Sequence, residues 1–112
     1  MEIISTSREL TKQELYKMTK SPSILTVNHI EDGAVLEVSA FINYTDTNSE
    51  GEENEILAVM GTDGTVWACQ SATFKRAFND LVSIFGNDGF SIKKLSGTTK
   101  AGRPYVNCDL AE

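Results

Sequence analysis

Ile92-Lys93-Lys94-Leu95-Ser96-Gly97-Thr98-Thr99-Lys100-Ala101-Gly102-Arg103-Pro104-Tyr105-Val106-Asn107-Cys108 contains two short runs in which apolar and polar residues alternate. A repeat of two is the period of a half-buried strand, and the loop rich in Gly and Thr turns the chain back on itself. The stretch therefore reads as a β-hairpin. Its tip and flanks carry Lys93, Lys94, Lys100 and Arg103 beside the aromatic Tyr105. From Ser71 to Cys108 six cations stand against two acids, whereas the first seventy residues hold four cations against twelve acids. A basic hairpin bearing an aromatic ring, on a chain of net charge −6, points to a site for something anionic.

Upstream the period changes. Phe74, Phe78, Leu81, Val82 and Phe85 recur at i, i+4, i+7, i+8 and i+11, which is one face of a helix. Ser71 or Thr73 caps its start and Gly86 stops it. Before it, Ile56–Met60 and Thr65–Cys69 flank Thr62-Asp63-Gly64, a strong hairpin signal because both Asp and Gly tolerate positive φ. Ala34–Tyr44 alternates as a long strand, with Val38, Ala40, Ile42 and Tyr44 on one face. The polar segment from Thr45 to Glu55, with Asp46, Glu50, Glu52 and Glu53, is expected to be an exposed, mobile loop. Nearer the start, Thr11 and Glu14 have capping-box spacing and predict a helix over residues 11–18, stapled by Leu10 and Leu15 and ended before Pro22. A short strand over 24–27 follows, and Asp32-Gly33 is a plausible turn.

At 112 residues the chain fits one domain, 1–112, with a helix and strand extension over 1–33 and a core over 34–110. With 40% hydrophobic and 23% charged residues it can bury a core, which excludes wholesale disorder. No apolar run reaches the roughly 18–20 residues of a membrane span. The N-terminus Met1-Glu2-Ile3-Ile4-Ser5 lacks the pattern of a signal peptide, so the expected location is the cytoplasm, with no membrane partner. Cys69 and Cys108 then read as buried reduced thiols. With only one His, distant from both, no metal site or cofactor is expected. Neither a Walker loop nor a G-x-S-x-G elbow occurs, and the acids gather in a loop, so the chain does not read as an enzyme.

From Val35 onward the elements run strand–strand–strand–helix–strand–strand. That is the order of an OB-fold, a small five-stranded Greek-key barrel with its helix between strands 3 and 4. The fold class is therefore α+β, mainly antiparallel β. A curved antiparallel sheet packed on one helix would use the same elements.

The residues from Trp67 to Cys108 also resemble the small single-stranded DNA-binding proteins of bacteriophages and mobile elements from Gram-positive bacteria. The resemblance is carried by Ser71-Ala72-Thr73-Phe74, the Phe-rich helix, Ile92-Lys93-Lys94-Leu95, and Ser96-Gly97-Thr98-Thr99-Lys100-Ala101-Gly102-Arg103 before an aromatic strand. It implies an OB-like barrel that coats single strands during phage replication, inside the bacterial host cell.

Coating a single strand requires cations along the phosphates and exposed aromatics under the bases, since every base offers a π-face. Lys93, Lys94, Lys100 and Arg103 are the phosphate candidates, and Trp67 and Tyr105 the stacking ones, with Tyr44 and Phe41 behind them. Trp67 could equally belong to the core. A second reading takes the acidic segment 45–55 as the active surface, binding a replication protein or blocking a host protein by imitating nucleic-acid charge. Exposed strand edges could also pair two chains into a homodimer.

Overall fold

In a computed structural model, described for residues 1–86 and 88–111, the long strand is the organising element. In chain order the elements are β1 (Glu2–Thr6), α1 (Lys12–Thr19), β2 (Leu25–Thr26), a 3-10 turn (Val27–His29), β3 (Val35–Thr47), β4 (Glu53–Gly61), β5 (Val66–Cys69), α2 (Ala72–Phe85), β6 (Ser91–Thr98) and β7 (Pro104–Leu110). One edge of β3 pairs with β4 from Val38 to Thr47. The other edge is shared: β6 takes Val35–Glu37, and β1 takes Ile42–Thr45.

The molecule is mostly β with two helices, and its mixed sheet curls into a half-barrel compatible with an OB-like fold. It departs from the expected five barrel strands and one N-terminal strand, because the sheet has seven, in the order β2-β5-β4-β3-β6-β7 with β1 set against β3. Beyond the five, β2 is the expected N-terminal strand and β1 an unforeseen one, and both have a simple physical origin. β6 leaves the C-terminal half of β3 with an unpaired edge, and β1 satisfies it; β2 adds in parallel to the outer edge of β5. No ladder joins β5 to β7 among the described residues, so the sheet curls without closing.

Alternation along the strands builds two apolar layers. On the inner face Leu57, Val59, Trp67 and Cys69 meet Ile92, Val106 and Cys108, and the α2 stripe of Phe74 and Phe78 fills the space between them. Fully burying each phenylalanine contributes roughly 1.5–3 kcal/mol. Phe41 joins this layer by an edge-to-face contact with Phe78, their ring centroids 5.2 Å apart. On the outer face Ala40, Ile42, Tyr44, Ala58, Met60 and Val66 are covered by Met18 of α1.

The local signals behave as their chemistry demands. The Thr11 side chain accepts from the Glu14 amide while the Glu14 carboxylate accepts from the Thr11 amide, a complete capping box, and Leu10 and Leu15 pack on the outer layer. The Asp63 turn closes with the Gly61 amide donating to the Thr65 carbonyl at 2.7 Å. The acidic segment differs from expectation. Thr45, Asp46 and Thr47 pair with Glu55, Asn54 and Glu53, so strand pairing outlasts the apolar residues and only 48–52 is a turn. The Asn48 side chain holds that turn by accepting from the amides of Glu50 and Glu52, both at 2.9 Å. No helix among the described residues is long and apolar enough to cross a membrane.

Candidate nucleic-acid interface

The β6–β7 register decides which hairpin side chains face the same way. Gly97 lies opposite Tyr105, Leu95 opposite Asn107, and Lys93 opposite Asp109, and these share the outer face. Ile92 and Lys94 lie opposite Leu110 and Cys108, on the inner face. Beyond the ladder the Thr99 amide donates to the Arg103 carbonyl at 2.8 Å, and the Thr99 hydroxyl accepts from the Arg103 amide at 3.2 Å. Gly102, at φ +84°, supplies the left-handed step that tightens this tip. Lys100 and Arg103 are exposed upon it.

Tyr105 is 38% exposed and leans across to β6. A Cβ on Gly97 would stand 2.5 Å from its hydroxyl oxygen and 2.6 Å from the ring carbon that bears it. Gly97 therefore provides the space in which this ring lies. Tyr105 and Lys93 share one face of the hairpin, with Leu95 and Asn107 between them, and Arg103 and Lys100 are exposed at the tip.

Two of the six expected contact residues are placed elsewhere. Trp67 is only 4% exposed and sits opposite Val59 in the inner layer, so its ring faces are occupied by the core. Lys94, also 4% exposed, points inward, because neighbouring residues on a strand face opposite ways. Its ammonium donates to Asp32 Oδ1 at 2.8 Å, and the Ser96 hydroxyl donates to the other carboxylate oxygen. Those two donors hold the Asp32 carboxyl below the usual carboxylate range, the Lys94 hydrogen bond contributing most. The backbone closes the same join, Lys94 donating to Ala34 at 2.9 Å and Gly33 donating to Lys94 at 2.7 Å. Here Lys94 clamps the 31–34 turn onto β6.

Beside the hairpin, where β5 and β7 fail to pair, runs a groove of about 550 Å³. Pro104 and Tyr105 form one wall, and Gln70 and Ser71 the other. Tyr44, Ile56 and Ala68 also line it. Burial, and secondarily the Asp46 carboxylate, push the Tyr44 phenol above its ordinary pKa, so at neutral pH it stays an uncharged donor. The Ser71 hydroxyl ties the walls together, accepting from the Phe74 amide at 3.3 Å and reaching the Val106 carbonyl at 3.4 Å. Lys75, one turn into α2, adds a cation, its ammonium donating to the Glu55 carbonyl at 3.1 Å. Lys75, Gln70 and the groove itself carried no local sequence signal, since they come together only through the approach of β5 to β7. The described residues hold no cluster of metal-ligating side chains.

A cationic, aromatic-bearing hairpin beside an open groove is a surface suited to a flexible anionic chain with flat apolar groups. The phage single-stranded DNA-binding protein family, of the phi29 type, matches residues 4–111. The chain belongs to this family. The match covers both the N-terminal extension and the hairpin, well beyond the C-terminal part that carried the sequence resemblance. Membership makes this a binding protein whose partner is single-stranded DNA. No curated protein and no solved structure matches it.

Proposed function

We propose that this family member coats single-stranded DNA without reading its order of bases, in the replication or recombination of a phage or mobile element. In this reading β3–β7 are the five strands of an OB-like barrel, α2 stands between its third and fourth strands, and residues 1–33 brace it from outside. Phosphates meet Lys100, Arg103 and Lys93, and a base stacks on Tyr105. The observation that carries the proposal is Tyr105 at the edge of the groove, on the hairpin face it shares with Lys93 and next to the exposed tip that bears Lys100 and Arg103. The local balance there outweighs the net charge of −6, since phosphate contacts respond to the field at the surface they touch. Trp67 and Lys94 support the site from within.

Fluorescence titration with labelled oligo(dT) tests this. The protein is expected to bind at low salt and to lose affinity as salt rises. Lys100→Ala with Arg103→Ala should flatten the logarithmic salt slope by roughly 1.4, at about 0.7 per phosphate contact on a single strand, without lowering the melting temperature. Lys94→Met in the same assay should leave the slope unchanged. Absence of binding at low salt would sink the coating role and leave the acidic segment 45–55, bound to a host or replication protein, as the surviving reading.

A further inference from the structure

We propose that the groove between β5 and β7 seats thymine bases, giving the protein a bias toward thymine-rich DNA over cytosine-rich or uracil-bearing strands. This rests on the coating role and adds a base preference to it. The groove volume of about 550 Å³ admits flat bases turned out of the strand, and Tyr105 offers an aromatic wall at its mouth. Among the described residues no cation lines the groove itself, but Arg103 and Lys100 stand exposed on the hairpin tip next to Pro104, and Lys75 reaches the carbonyl of Glu55 next to Ile56, so a strand of regular negative charge fits better than a peptide.

Inside, two kinds of group select the base. Ile24, Ile56 and Ala68 line the groove and are only half-buried, which leaves aliphatic surface for a C5 methyl group to cover. That methyl distinguishes thymine from both cytosine and uracil. Asn28 and Gln70 are exposed at the rim, and each amide presents a donor beside an acceptor. Thymine offers the complementary pair, its N3–H next to a carbonyl oxygen. A flipped amide would serve cytosine as well, so the amides hold the base edge and the apolar lining discriminates. Purines are excluded less by the groove than by their stronger stacking within the strand.

The test uses deoxy-oligonucleotides of equal length made of thymine, uracil or cytosine alone, so that the sugar and the phosphates are constant. Wild-type protein should bind oligo(dT) more tightly than oligo(dU) or oligo(dC), by about fourfold per seated base, the factor that burying one methyl group yields. Ile24→Thr with Ile56→Thr, which trims the aliphatic lining that the methyl would cover, should bring the three affinities together, with the melting temperature held as a control on folding, since both side chains are only half-buried. Lys100→Ala with Arg103→Ala should weaken all three equally. Equal affinities in the wild type, or a ratio that survives the isoleucine variant, would overturn the thymine seat while leaving the coating role standing. Failure to bind any of the three would remove both.

Discussion

At the scale of single residues, the proposed interface turns on one missing side chain. Tyr105 can lie over β6 only because Gly97 has no Cβ, and the atoms a Cβ would strike belong to the movable end of the tyrosine. Gly97→Ala should therefore displace the ring without unfolding the hairpin. Its cost in oligo(dT) affinity should approach that of Tyr105→Ala, about 1–3 kcal/mol for one stacked base, with little change in melting temperature. A Gly97→Ala protein that binds as tightly as wild type would show that the ring's position is irrelevant to binding. This scale is also where the sequence was least readable. Lys93 and Lys94 are chemically identical neighbours, yet one is half-buried on the outer face and the other is the buried partner of Asp32. Alternation says that they point apart, but not which one points inward; that is set by pairing with Leu110 and Cys108. Trp67 was undecidable for the same reason, since its face depends on the register of β5 against β4.

At the scale of elements, local chemistry was enough wherever a segment carries its own instructions. The capping box of α1, the phenylalanine stripe of α2, the Asp-Gly turn and the terminal hairpin could all be read from spacing alone, while the cap of α2 stood between Ser71 and Thr73 until the fold chose Ser71. β1 could not. Its Glu2-Ile3-Ile4-Ser5-Thr6 does not alternate, every residue in it is exposed, and it is a strand because β3 has an edge to satisfy. The acidic segment misled in the opposite direction, its polar composition concealing three further residue pairs of the β3–β4 ladder. Ser71 shows how an element signal can also serve a tertiary one. Its hydroxyl caps α2 and touches the Val106 carbonyl on β7. Ser71→Ala should lower the unfolding free energy by about 1 kcal/mol, measured by urea denaturation. A loss indistinguishable from zero would mean that water replaces the cap at no cost.

At the scale of the whole molecule, the two cysteines report on the integrity of the core. Both are buried free thiols in the inner layer. Burial pushes Cys69 up to about 11 and Cys108 up to about 12. Both shifts are upward, so at pH 8 each remains a neutral thiol, and only the thiolate is a competent nucleophile. A disulfide reagent at pH 8 should thus label neither cysteine in the native protein and both in urea. Labelling of the native protein at the rate of a free thiol would contradict the packing of the inner layer. The groove belongs to this scale too. Its walls come from residues far apart in sequence, joined by no ladder, and no window along the chain could have announced it.

The unpaired seam between β5 and β7 bears on how a strand gets in and out. A closed ring must be threaded from a free end, so circular or end-blocked strands cannot enter it. A slot open along its side can be loaded laterally at any point, and its occupant can leave the same way. In the proposed coating role, that geometry would place coverage and removal under the control of local concentration rather than of access to a terminus.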